Sequence, residues 1–299
     1  MSELDQLRKE IDGIDRRIAE LFQQRMDTTR RVGLYKLRNG VNVLDEAREK
    51  EILASKAGLS DDPAMQSALN SLFECILSIS RKQQRRMMDE TDLWFEFYHF
   101  DRSETRSPLP NPRVIYQGEP GSCSDQAAGQ FFGEEIPRQN IPAQEEVFLA
   151  LKEGRADYGV VPIENSSSGS INPTYDLLAQ YGAHIVGEQI LSSDDCGYTR
   201  FVVVSPVMER RENANKISAL FALPHKSGAL HRILSVFAVA GLSLMKLESR
   251  PVVGRSWEYL FFVDFSGNLD DPGMDSVIRE LTQSADGFRI LGNYKACEE

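Results

Sequence analysis

The chain has 299 residues, 41% of them hydrophobic and 26% charged, and a net charge of −11. Its size allows more than one domain with its own core, and its acidity argues against nucleic acid as the main partner. No apolar stretch is long enough to span a membrane, and Met1-Ser2-Glu3-Leu4-Asp5 lacks the basic segment and apolar core of a secretory leader. A cytoplasmic location is therefore expected.

Leu4, Leu7, Ile11, Ile14, Ile18 and Leu21 alternate at three- and four-residue spacing, the pattern of a long helix that seeks a partner helix. The spacing predicts a helix over 3–38, with Ser2 as its N-cap and Asn39-Gly40 as its stop. A shorter helix is predicted from Asp45 to about Gly58. A third starts after Pro63 and reaches about Met88, with Met65, Leu69, Leu72, Phe73, Ile76 and Ile79 on its apolar stripe. Arg8, Arg25 and Lys36 punctuate the first helix. Arg8 and Arg25 stand 17 residues apart, or about 25 Å along one straight helix. A compact metabolite spans less than half of that, so if both bind one ligand, one comes from another chain. A dimeric, polyanion-binding helical site is expected. Residues 1–88 hold 16 Lys/Arg against 14 Asp/Glu, while the remainder holds 18 against 31. Cations are thus enriched where that site would lie.

Residues 89–112 read as a linker. Asp89 to Arg106 mixes acids with Trp94, Phe95, Phe97, Tyr98 and Phe100, an expected docking segment, and Ser107-Pro108-Leu109-Pro110-Asn111-Pro112 follows. From Arg113 the pattern changes to α/β: strand Val114-Ile115-Tyr116, a Gly/Pro turn at 118–121, a helix from Ser124, and a buried strand 158–163 ending at Glu164-Asn165-Ser166. A helix after Pro173 and a strand over Ala183–Gly187 complete this layer. From about Ile217, strand 217–224, helix 228–240, strands 242–250 and 257–265, helix 271–283 and strand 288–294 give a βαββαβ order, the ferredoxin-like sequence of elements.

Residues 1–88 resemble the all-helical chorismate mutase domain at the front of bifunctional chorismate mutase–prephenate dehydratases. The likeness rests on Leu7-Arg8, Arg25, Val32-Gly33-Leu34-Tyr35-Lys36, Asp45-Glu46-Ala47-Arg48-Glu49 and Ser80 with Gln84. It implies that Arg25 and the partner chain's copy of Arg8 clamp the two carboxylates of chorismate, with Ser80 assisting. Lys36 and Gln84 would donate to the ether oxygen. Glu49 and Asp45 would address the ring hydroxyl and its surroundings, with Arg48 beside them. Ser80 and Gln84 share a helix face, as do Asp45, Arg48 and Glu49.

Residues 113–205 resemble prephenate dehydratase through Gly118-Glu119-Pro120-Gly121-Ser122, Val161-Pro162-Ile163-Glu164-Asn165-Ser166, Gly169-Ser170, Gly187-Glu188 and Thr199-Arg200-Phe201. The resemblance implies Thr199 as the donor that helps hydroxide leave, with Glu164 and Asn165 lining the cleft. Family members carry a second lobe between the last two matches, and here only about a dozen residues join them. Most of the opposing wall is missing, and an inactive dehydratase remnant is expected. Residues 217–296 resemble the ACT amino-acid-sensing domain. Ser227-Gly228-Ala229-Leu230 and Leu247-Glu248-Ser249-Arg250-Pro251 match its phenylalanine-binding motifs.

The expected architecture is therefore multidomain: a helical domain at 1–88, a linker at 89–112, a partial α/β domain at 113–205 and a regulatory domain at 206–299. The expected partners are chorismate and prephenate, phenylalanine as effector, and a second copy of the chain. No cofactor or metal is expected: His99, His184, His225 and His231 lack metal-ligand spacing, and Ser122 and Ser124 lack an evident His partner. Cys75, Cys123, Cys196 and Cys297 are scattered, which favours reduced thiols. Two alternatives stand beside this reading: a fully bifunctional enzyme that yields phenylpyruvate, and a non-catalytic phenylalanine sensor.

Overall fold

The computed structural model describes residues 2–39, 41, 43–89, 105–193, 197–223, 228–251 and 259–297. The chain divides into two compact units, Met1–His99 and Phe100–Glu299. The aromatic docking segment from Trp94 to Phe100, Gly40, Cys196, His225 and Ser227 lie outside the described residues.

The first unit holds three helices: α1 (Glu3–Arg38), α2 (Glu46–Ala57) and α3 (Pro63–Asp89). These match the helical periodicities to within a residue or two. The ends follow local chemistry. Ser2 and Asp5 exchange backbone-to-side-chain bonds of 2.9 and 3.2 Å, as in a capping box, and Asp45 caps α2 by accepting the Arg48 N–H at 3.0 Å. Both α1 and α2 pack on α3. Their shared interior is thin. Among the described residues of this unit, only Val43 and Leu77 are buried hydrophobic side chains, whereas all six residues of the α1 stripe are at least half exposed.

The second unit runs β1 (Val114–Gln117), α4 (Cys123–Phe132), β2 (Arg138–Ile141), α5 (Gln144–Lys152), β3 (Tyr158–Asn165), β4 (Gly169–Ser170), α6 (Asn172–Tyr181), β5 (His184–Ser193) and β6 (Gly197–Ser205). It continues with β7 (Lys216–Leu223), α7 (Ala229–Ala240), β8 (Leu244–Pro251), β9 (Tyr259–Ser266), α8 (Met274–Ser284) and β10 (Asp286–Tyr294). The first sheet has the order β2-β1-β3-β6-β5, with β4 paired to β3. It is mixed: β1 is parallel to β2 and β3, while β6 is antiparallel to β3 and β5. The second sheet, β10-β7-β9-β8, is antiparallel throughout and carries the βαββαβ order read from the sequence.

Several features depart from expectation. Strands β2, β4 and β6 and helix α5 add to the expected elements, and β5 extends well past Gly187 to Ser193. Strands β5 and β6 form one continuous hairpin, paired from His184↔Ser205 to Ser193↔Gly197. The two dehydratase-like matches therefore lie on adjacent strands, with Glu188 opposite Val202 and Thr199 opposite Leu191. The end of the expected linker is docked: Arg106 N–H donates to Met208 at 3.0 Å, and its guanidinium reaches Ser205 Oγ at 2.9 Å. Finally, Cys123 is disulfide-bonded, against the expectation of reduced thiols, while Cys75 and Cys297 are not in disulfides.

The two sheets share a core. Leu220, Phe262, Leu291 and Tyr294 from the second bury together with Ile185, Val202 and Val204 from the first and with Tyr175 of α6. An expected boundary at 205/206 thus falls inside one packed interior. The approach is tightest at Gly292, where an added Cβ would lie 2.0 Å from the Ile185 carbonyl oxygen. Backbone cannot yield as a flexible side chain can. Gly292→Ala should therefore lower stability by about 1–3 kcal/mol, an overpacking cost read as a reduced urea midpoint of the second unit. An unchanged midpoint would mean that β10 and β5 are less closely joined than the structure shows.

Candidate functional site

In the helical unit, the C-terminal half of α1, the N-terminus of α2 and the middle of α3 converge. Arg25 Nη1 donates to Ser80 Oγ at 2.5 Å, linking α1 to α3, and the Ser80 hydroxyl donates to the Ile76 carbonyl at 2.6 Å. Gln84 lies one turn further along α3. It is buried, and its carboxamide oxygen accepts no hydrogen bond, a feature that often marks functional ground. Lys36 Nζ donates to the Val43 carbonyl at 2.6 Å. Burial pulls its ammonium below the ordinary lysine range, and the nearby Asp45 and Glu49 carboxylates offset this only in part. Burial likewise lowers the Arg25 guanidinium.

Three expected residues sit differently. Arg8 is exposed near the start of α1. Because α1 is one unbroken helix, Arg8 stays about 25 Å from Arg25 along the axis. Arg48 is exposed and pairs with Glu51 at 2.5 Å rather than joining the converging set. The Asp45 carboxylate serves as the α2 cap. One residue escaped the sequence reading: Arg81, almost fully buried, whose Nη1 donates to both Glu49 oxygens at 2.7 Å. Nothing in the sequence pairs positions 32 residues apart, although Arg81 directly follows Ser80.

In the second unit, Asn165 Nδ2 donates to Thr199 Oγ1 at 2.6 Å, bringing two expected cleft residues together across β3 and β6. Glu164 is committed elsewhere, bonded to Lys246 at 2.8 Å and to Arg200 at 3.0 Å. These cations outweigh its burial and hold its carboxyl below the usual range. Arg200 also meets Asp264 at 2.9 Å and Glu188 at 3.1 Å, and Lys216 meets Glu188 at 2.8 Å. A buried ionic network therefore joins the two sheets.

The expected effector motifs lie on α7 and β8. Gly228 precedes α7 with a φ of 78°, a conformation that disfavours side chains, and Ala229 and Leu230 form the first turn of that helix. On the edge strand β8, Glu248 accepts from Ser170 at 2.5 Å and Arg250 pairs with Asp176 at 2.7 Å, while Ser249 and Pro251 are exposed. Among the described residues, no hydrogen bond joins the two motifs. No helix among these residues is long and apolar enough to cross a membrane.

Comparison with known proteins agrees with this division. The type II chorismate mutase family matches residues 7–85, and the prephenate dehydratase family matches residues 114–196. The bifunctional chorismate mutase/prephenate dehydratase of Aquifex aeolicus is 25% identical, covering 98% of each chain. That alignment runs over 376 positions, more than the 299 residues here, so the relative holds sequence that this chain lacks. The prephenate dehydratase structure from Streptococcus mutans is 32% identical with a TM-score of 0.55, over 62% of this chain and 99% of that one. GqqA, described as a novel type of quorum quenching acylase, is 27% identical with a TM-score of 0.56, over 62% and 95%. The helical unit is of the type II chorismate mutase class, and the α/β layer is of the prephenate dehydratase class. With both in one chain and in that order, the protein belongs to the bifunctional chorismate mutase/prephenate dehydratase family.

The ionic network makes a stability prediction. Burial alone would raise the Asp264 carboxyl, but Lys216, Arg200 and the Ser218 hydroxyl together hold it below the ordinary value. A carboxyl lowered in the folded state stabilises it above the unfolded pKa of about 3.9, and this contribution fades as pH falls through the folded value. Asp264→Asn should cost about 3–5 kcal/mol at pH 7, since it leaves buried cations under-compensated. It should also flatten the acid limb of stability, measured by urea unfolding between pH 7 and pH 3. An equally steep acid limb in the variant would assign that dependence to other carboxyls.

Proposed function

We propose that the chain is a homodimeric chorismate mutase that converts chorismate to prephenate, with an inactive dehydratase remnant and a phenylalanine-sensing ACT module. The observation that carries the mutase reading is the state of the cations. Arg25 and Lys36 are partly buried, yet they bond only to a hydroxyl and a carbonyl. No carboxylate neutralises either at ion-pair distance among the described residues. Such groups suit a dianion.

The reaction is an intramolecular pericyclic shift. The ether C–O bond breaks as a C–C bond forms, and no proton, nucleophile or metal takes part. The site must hold the compact conformer and stabilise charge developing on the ether oxygen. In this reading Arg25 and Ser80 hold one carboxylate, and the partner chain's copy of Arg8 holds the other. Lys36 and Gln84 donate to the ether oxygen, and Glu49 accepts from the ring hydroxyl. Asp45 acts mainly by fixing the start of α2, and Arg48 stays peripheral. The exposed α1 stripe supports the dimer, because burying it against a second copy would bring Arg8 to the other chain's site.

For the dehydratase, the charge state argues the opposite way. The cations around Thr199 are already paired: Arg200 with Glu164, Glu188 and Asp264, Lys216 with Glu188, and Lys246 with Glu164. The β5–β6 hairpin also stands where the second lobe would be inserted. A dicarboxylate would find neither anchors nor an opposing wall that excludes water. The βαββαβ module, with Gly228-Ala229-Leu230 and Glu248-Ser249-Arg250-Pro251, supports phenylalanine binding through its element order and motifs.

Product analysis tests these readings. The purified chain given chorismate should release prephenate and no phenylpyruvate, and calorimetry should detect phenylalanine binding. Phenylpyruvate would show a working dehydratase, whereas unchanged chorismate would leave only a sensor. Arg8→Ala and Lys36→Ala homodimers should each lose activity, and mixing them should restore part of it through one intact site per heterodimer. Exchange of subunits without recovery would rule out a site shared between chains.

A further inference from the structure

We propose that Arg81 is a positioning residue of the mutase site, acting through Glu49. The inference rests on the mutase reading above and adds a part to it. Arg81 is 5% exposed, and one of its guanidinium nitrogens donates to both Glu49 oxygens at 2.7 Å. The pair ties α2 to α3 where α3 carries Ser80 on one side of Arg81 and Gln84 one turn beyond.

Stability alone is a poor reason for such a pair. Burying a guanidinium and a carboxylate costs desolvation that their attraction only roughly offsets, and an apolar pair of equal volume often serves a fold as well. The geometry suits another purpose. Each carboxylate oxygen has a second lone pair, so Glu49 held by Arg81 can still accept from a ring hydroxyl. The same restraint protects Lys36. Glu49 lies close enough to Lys36 to influence its charge, yet the Lys36 ammonium bonds to the Val43 carbonyl. A Glu49 released from Arg81 could swing onto Lys36 and neutralise the cation needed at the ether oxygen. Arg81 thus keeps an acceptor and a donor apart in one small site.

The test is a double-mutant cycle on the full chain, with chorismate as substrate. Arg81→Ala should lower kcat/KM by up to about 100-fold, the scale of a misplaced site group. In a Glu49→Ala background the same change should cost almost nothing further, because its target is already gone. Arg81→Lys should recover part of the loss, since a single donor can still reach both oxygens. Thermal midpoints are recorded in parallel, and Arg81→Gln carries the comparison if Arg81→Ala does not fold. Equal losses of activity in both backgrounds would overturn the proposal, as would a lowered midpoint with unchanged kcat/KM. A wild-type chain that makes no prephenate would instead overturn the mutase reading, and this proposal with it.

Discussion

A 36-residue helix that holds its apolar stripe in water sets the terms for the helical unit. Leu4, Leu7, Ile11, Ile14, Ile18 and Leu21 are each at least half exposed, while among the described residues of the unit only Val43 and Leu77 are fully buried apolar side chains. Full burial of such a side chain is worth about 1.5–3 kcal/mol, so the stripe is a reserve that the unit alone leaves unused. A partner helix would recover it. Under the dimer reading, the act that completes the core also completes the site, because Arg8 and the Arg25–Lys36 group occupy opposite ends of α1. Folding and catalysis then depend on the same surface. Dilution or stripe mutations would remove activity without touching a single ligand-binding group.

The second unit meets the opposite constraint. Its two sheets are closed on each other by apolar residues, with Tyr175 against Phe262 at 5.0 Å, and by the network through Arg200. Buried ions tolerate little rearrangement, since freeing one leaves its partner uncompensated. Lys246, Glu248 and Arg250 alternate along β8 and reach β3, β4 and α6 through Glu164, Ser170 and Asp176 respectively. The alternation is that of one strand face, while Leu247, Ser249 and Pro251 occupy the other. The strand that carries one of the proposed effector motifs is thus fastened directly to β3, β4 and α6. Any ligand that shifts β8 must strain these ion pairs.

How much of this could be read from the chain depended on the range of the interaction. The three helices, the α/β layer and the βαββαβ order follow from local periodicity and caps, so they were legible. Helix α5 could have been: Val147, Phe148, Ala150 and Leu151 are its buried face, between acidic first-turn and basic last-turn residues. Strand β2 was harder, since Arg138-Gln139-Asn140-Ile141 is polar at a sheet edge and takes its structure from pairing with β1. Arg81–Glu49 and Arg200–Asp264 were beyond reach. Each joins residues far apart in sequence, and a charge on a helix or strand gives no sign of whether it faces solvent or a distant partner. The same limit explains Arg48, which shares a helix face with Asp45 but ends exposed and paired with Glu51.

The contrast between the two units turns on charge that is spent and charge that is held open. In the second unit the described cations near Thr199 are saturated by carboxylates, so an incoming dianion would have to displace existing partners. In the helical unit, Arg25 and Lys36 are kept below their ordinary proton affinities by burial, with only neutral oxygens as hydrogen-bond partners. A bound anion beside them would raise both affinities again, so under the mutase reading a dicarboxylate meets cations whose charge no carboxylate yet offsets at ion-pair distance. A rearrangement that needs no acid, base or metal requires little more than such a prepared field and a fixed conformer. The carboxylate nearest to spoiling that field, Glu49, is the one that a buried arginine holds.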